Sequence, residues 1–187
     1  MFGWNGGYAV AVDDLGYVYV AGSALDDLLL VPGALQAAPK SYGFDDAFVV
    51  KLSPDGQRVV YGTYLGGSRM DIATGVAVDR ERNIVLVGLT ESTDFPVHRA
   101  AQADLGGGFD AFVTRISAAG DRLISSTFLG GLAQDVAADV AVDAAGNAYV
   151  VGVTDSYDFP TLGAFQPSSP DRPISDDGFV ARYSPAG

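Results

Sequence analysis

The 187 residues carry a formal net charge of −12 and no cysteine. This excludes disulfides and zinc–thiolate sites and argues against nucleic acid or anionic lipid as a partner. Hydrophobic residues make up 48% of the chain, enough for a packed core, and no apolar run reaches the roughly 18–20 residues of a spanning helix. The opening MFGWNGGYAV has neither a basic segment nor an apolar leader and runs straight into repeated text, so the natural protein is expected to begin upstream.

In chain order, the first predicted strand (a) covers Tyr8–Asp13, with equivalents at Thr74–Asp79 and Ala138–Asp143. Each alternates through small and β-branched residues and ends on an aspartate, which favours a tight turn because its carboxylate accepts nearby backbone N–H groups. Strand b follows at Tyr17–Gly22, Asn83–Thr90 and Asn147–Thr154. Ile84-Val85-Leu86-Val87 and Tyr149-Val150-Val151 are apolar on both faces, so stacked sheets are expected to cover them on both sides. A connection of variable length comes next, opened in two copies by Asp94-Phe95-Pro96 and Asp158-Phe159-Pro160. Proline ends the ladder, and the phenylalanine is expected to plug a gap between neighbouring sheets. Strand c (Ala47–Leu52, Ala111–Ile116, Gly178–Tyr183) and strand d (Arg58–Leu65, Arg122–Leu129) form a hairpin around a Gly-containing turn, and d closes on Gly66-Gly67 or Gly130-Gly131.

These elements form one repeated text. Asp46–Pro96 and Asp110–Pro160 are two versions of it, and Asp13, Asp79 and Asp143 recur at intervals of 66 and 64. Units of about 64 residues with four short strands and no helical period predict an all-β architecture, a β-propeller of about three four-stranded blades. The array covers 1–187, with units at about 1–45, 46–109 and 110–176 and a partial unit at 177–187. The last blade lacks its d strand. Propellers typically close with about 4–8 blades, so the chain is expected to be an open fragment or part of an oligomeric ring.

The phrases DAFVVKLSPDG, YGTYLGG, GVAVDRERNIVLVGLT and STDFP, with DAFVTRIS, STFLGG, VAVDAAGNAYVVG and SYDFP, resemble the bacterial β-propeller repeat known as SBBP. The resemblance spans nearly the whole chain. It departs at Arg82, where a glycine is missing, and at the degenerate Asp27–Leu30 segment. The resemblance implies a secreted or cell-surface bacterial protein, some members being S-layer-like, and a non-enzymatic role as a structural, adhesive or protein-interaction scaffold. It brings no catalytic motif.

The repeated aspartates are the first chemistry to weigh. Asp94, Asp158, Asp79 and Asp143 are the candidate ligands for calcium, which takes 6–8 oxygens. No stretch matches a known calcium loop, and recurrence in every unit favours turn capping. No other cofactor is indicated. The adjacent acids Asp26-Asp27, Asp45-Asp46 and Asp176-Asp177 raise an acid-pair glycoside hydrolase or lyase, but neighbours on a strand point to opposite faces. His98 is the only histidine and is expected on an exposed loop, so Ser92 and Ser125-Ser126 have no triad partner. Gly106-Gly107-Gly108 lacks the lysine of a phosphate loop and is expected to be a flexible lead-in to strand c. Trp4, Tyr8, Tyr17, Tyr19, Tyr42, Tyr61, Tyr64 and Tyr157 offer either sugar-stacking platforms or packing between blades. The partners expected are further blades or a second copy of the chain, with protein or glycan ligands on the loop rim.

Overall fold

The computed structural model describes residues 6–26, 28, 30–166 and 177–187. Trp4, Asp27, Leu29 and Asp176 lie outside the described residues, and with them one member of two of the adjacent acid pairs. Among the described residues the secondary structure is all strand: β1 (Gly6–Val12), β2 (Val18–Ala24), β3 (Asp46–Leu52), β4 (Val59–Leu65), β5 (Asp71–Val78), β6 (Ile84–Thr90), β7 (Asp110–Ile116), β8 (Leu123–Leu129), β9 (Asp135–Val142), β10 (Ala148–Thr154) and β11 (Asp177–Tyr183). They form three antiparallel sheets, β1-β2-β3-β4, β5-β6-β7-β8 and β9-β10-β11. Among the described residues the fold is an open β-propeller array of two four-stranded blades and a third with three strands.

The sheets are out of phase with the repeated text. Residues 46–109 supply β3 and β4 to the first sheet and β5 and β6 to the second. Residues 110–176 step across the second and third sheets in the same way.

Strand a begins earlier than its alternation predicts. In β5, Ala73 pairs with Gly88 and Gly75 with Val87, which leaves Thr74 out of the ladder. Tyr8 in β1 and Ala138 in β9 are skipped likewise. Each of the three predicted starts is the extra residue of a β-bulge, which flips the side-chain alternation and hides the residues before it.

The sheets stack face to face, with the second between the other two. One core joins Tyr19, Ala21, Val49 and Leu65 of the first sheet to Ile84, Leu86, Phe112 and Phe128 of the second. Another joins Val85, Val87, Val113 and Leu129 of the second to Val150 and Phe179 of the third. The b strand of the middle sheet is therefore covered on both faces, as its composition requires. Phe95 packs 4.7 Å from Phe112 and 6.0 Å from Phe128 within the first core. Phe159 repeats the contact at 4.7 Å from Phe179. Among the described residues the first sheet has no such phenylalanine. Leu28 and Leu30 cover Phe48, Val50 and Tyr64 instead.

Coverage fails at one place where two-sided burial was expected. Val85 and Val87 of β6 are 1% and 0% exposed, whereas their equivalents Tyr149 and Val151 of β10 are 39% and 42% exposed. The equivalence of the repeats hides this difference, which arises because among the described residues no further sheet packs on the third.

Candidate functional site

The turn aspartates behave as caps. Asp13 Oδ1 accepts the N–H groups of Leu15 and Tyr17 at 3.0 and 2.9 Å, and its Oδ2 accepts the Tyr19 hydroxyl at 3.0 Å. Asp79 Oδ1 accepts Asn83 N–H at 2.8 Å, and its Oδ2 accepts Asn83 Nδ2 and Arg115 Nη1 at 2.9 and 2.7 Å. Asp143 accepts Ala145 and Asn147 N–H, each at 2.9 Å, and Asn147 Nδ2 at 2.8 Å. These bonds, the Asn147 side chain foremost, hold the Asp143 carboxyl down at about 2. A basic residue of strand c backs two of the caps. Lys51 Nζ is 3.7 Å from Asp13 and lies over the rings of Tyr17 and Tyr19. Arg115 binds Asp79 and also donates through Nη2 to the Gly146 carbonyl of the next sheet at 2.7 Å.

The other two calcium candidates tie loops together. Asp94 Oδ1 accepts the N–H and hydroxyl of Ser68 at 2.8 and 2.9 Å, and Asp158 Oδ1 accepts Leu132 N–H at 2.9 Å. Asp79 precedes β6 and Asp94 follows it, so roughly 20 Å of strand separates them. The structure does not bring the four candidates together. Among the described residues no three His, Asp or Glu side chains are grouped to hold a metal ion.

The carboxylates that do converge are two of the repeated aspartates, Asp46 and Asp71, which the sequence does not join as a pair. Asp46 starts strand c of the first sheet, Asp71 starts strand a of the second, and both are fully buried. A Cβ placed on Gly66 would lie 2.6 Å from Asp71 Oδ2 and 2.7 Å from Asp46 Cγ, so only glycine fits between the two acids. Asp110, Asp135 and Gly130 repeat the arrangement, with both distances at 2.6 Å. Gly67 N–H and the Ser92 hydroxyl donate to Asp71 Oδ2 at 2.8 and 2.9 Å. Gln36 Nε2 and Lys40 N–H donate to Asp46 Oδ2 at 2.7 and 2.9 Å. Asp71 Oδ1 and Asp135 Oδ1 have no hydrogen-bond partner among the described residues. Burial, with the negative charge of Asp46 adding to it, pushes the Asp71 carboxyl up to about 7. Burial also raises Asp110, with Asp135 adding to the effect. The signal in the sequence was a Gly-Gly pair followed by aspartate, Gly66-Gly67 to Asp71 and Gly130-Gly131 to Asp135.

Gly106-Gly107-Gly108 is not a flexible lead-in. Gly106 and Gly107 donate their N–H groups to Asp110 at 2.8 and 3.0 Å. A Cβ on Gly107 would meet the Ala133 carbonyl oxygen at 1.8 Å. The segment is a close-packed cradle for one member of the buried acid pair.

His98 is exposed, as expected, although its backbone pairs with Ser126 of β8. The Ser126 hydroxyl donates to the Pro96 carbonyl at 2.6 Å and Ser92 serves Asp71. Of the aromatics, Tyr19, Tyr61 and Tyr64 are buried packing residues, whereas Tyr42 and Tyr157 stand on the loops between strands b and c at 98% and 80% exposure. A cavity of about 540 Å³ opens between the β1–β2 and β5–β6 turns, lined by Val12, Asp13, Asp14, Val78, Asp79 and Arg80. Arg82 Nε donates to Asp14 Oδ1 across the same sheet junction at 2.9 Å.

The acids thus cap turns or fasten one sheet to the next. The buried couples are closed to solvent. No curated protein matches the chain. The profile of the SBBP beta-propeller repeat matches residues 60–96 and 112–160. Those segments hold β5 and β6 with their turn cap, and β8 to β10 with theirs. The repeated text, the stacked four-stranded sheets and this match together show that the chain carries SBBP beta-propeller repeats.

Proposed function

We propose that this propeller repeat module is a non-enzymatic scaffold of a secreted or cell-surface protein, holding other proteins or surfaces through its loops. One observation carries the reading. The buried polar groups of the first junction recur at the second, Asp46–Asp71 as Asp110–Asp135 and Ser92 as Ser156, and each serves to join sheets. Catalysis uses a cluster that breaks such repetition. Incubation with panels of chromogenic glycosides and acidic polysaccharides is expected to yield no product, while beads coated with the chain retain cells or envelope fragments. Turnover abolished by a single aspartate substitution in a folded variant would overturn the reading.

A second reading is favoured by the exposed rings of Tyr42 and Tyr157. Aromatic faces on solvent-exposed loops stack on sugars, so the rim is also suited to carbohydrate. Binding on a glycan array that drops at least tenfold in Tyr157→Ala and Tyr42→Ala supports this alternative, and uniform background across the array rejects it.

A further inference from the structure

The third sheet leaves open the face that the first two sheets bury. Tyr149, Val151 and Val153 of β10 are 39%, 42% and 42% exposed, and Val180 of β11 is 75% exposed, whereas Val113, the counterpart of Val180, is 6% exposed. At the other end of the stack, Val10 and Val12 of β1 are exposed on the opposite kind of face. The counterpart of Val10 is Val76, which is buried in the core between the first and second sheets. The two end faces are therefore the two halves of a contact that the chain already makes twice internally.

We propose that the open face of the third sheet receives the open face of the first sheet from a second copy of the chain. Two copies then close head to tail into a ring of six sheets. The occupant follows from continuity with the internal junctions. Each of those joins the Val85/Val87-type face of one sheet to the Val76/Phe112-type face of the next. At the two ends of one molecule the first type is open on the third sheet, while the second is open at Val10 and Val12 of the first sheet, whose Phe48 is covered by Leu28 and Leu30. The missing d strand does not prevent this. The exposed valines of the third sheet lie on its b and c strands, β10 and β11. Arg182 of β11 holds the position of Arg115, whose guanidinium donates to the turn carbonyl of Gly146 in the next sheet. Its equivalent target in the second copy is the carbonyl of Gly16. A head-to-tail contact closes only if its rotation closes, and six blades fall within the usual range of about 4–8. Each copy carries a net charge of −12, so repulsion opposes the pairing and salt is expected to strengthen it. The inference concerns assembly and holds whatever the rim binds.

The test is solution mass by light scattering after size exclusion, over a hundredfold range of concentration and at low and high salt. The expected result is a plateau at twice the 19.3 kDa chain mass, reached at lower concentration in high salt. Val151→Asp and Val10→Asp should each shift the midpoint of association at least tenfold upward, and Arg182→Ala several-fold. An equimolar mixture of Val151→Asp and Val10→Asp should recover part of the association, because one of its two junctions pairs two unaltered faces. Circular dichroism and melting check that each variant is folded. If Val151→Asp fails that check, Val180→Asp replaces it at a more exposed position. A monomer at every concentration, a mass that grows without plateau, or a Val10→Asp variant with unchanged association overturns the proposal. This outcome is independent of the glycan and turnover assays above.

Discussion

At the residue scale, repetition exposes backbone positions where the chain departs from its own pattern, the a–b turn among them. Gly16 and Gly146 occupy the a–b turn with φ of 82° and 83°, and Arg82 takes the same position with φ of 64°. An L side chain in that region costs roughly 1–2 kcal/mol. The exposed contact of Arg82 with Asp14 recovers only a fraction of this. Arg82→Gly is therefore expected to stabilise the fold by about 1 kcal/mol, read as a higher urea midpoint at unchanged slope. Asp71 offers a second prediction. Its carboxyl is raised from 3.8 to about 7, chiefly by burial. Between those values the folded chain keeps a proton that the unfolded chain has released. The stability is therefore full below about pH 4 and falls as pH rises through 7. At about 1.4 kcal/mol per pH unit the loss amounts to a few kcal/mol. Asp71→Asn keeps an acceptor for Gly67 and Ser92 and should flatten the dependence, raising the melting temperature at pH 8 with little change at pH 4. An unaltered pH slope in the folded variant would place the titration elsewhere.

At the element scale, the strands were legible because apolar alternation and the Asp–turn–strand phrase are local. The beginnings of the a strands were not, since a bulge at Tyr8, Thr74 or Ala138 reverses the alternation that a reader follows. The acid couples were equally hidden. Asp46 and Asp71 belong to different sheets, and nothing in either local phrase announces the other. The wedge phenylalanines were legible by their proline, and the structure grades them. Phe95 is buried against two rings in a core closed on both sides, while Phe159 is partly buried against Phe179. Phe95→Ala is expected to cost about 3–5 kcal/mol, and Phe159→Ala about half as much. Equal costs, measured by denaturant unfolding, would mean that the third sheet is sealed by something beyond the monomer.

At the scale of the whole molecule, the three sheets should differ in protection although their sequences are alike. The middle sheet has both faces covered, so its amides are expected to exchange slowest, with β10 and β11 the fastest among the strands. Raising the protein concentration should slow exchange at β10, β11 and β1 together if copies dock end to end, and leave β6 and β7 unchanged. The number of sheets could be counted in the sequence, but the exposure of the end faces could not. A repeat predicts what each unit buries when flanked, and its text is the same at an end as in the middle.

The Gly-Gly link between strands d and a bears on how the molecule would respond to tension along the chain. Chain leaving β4 passes Gly66 and Gly67 and is fastened at Asp71 before it enters the next sheet, and the same clasp recurs at Gly130, Gly131 and Asp135. A pull along the chain therefore meets these clasps one after another. Rupture of each would free one repeat of about 64 residues, on the order of 200 Å of slack when fully extended. The array would lengthen in near-equal steps, each taking up force before the next clasp is loaded.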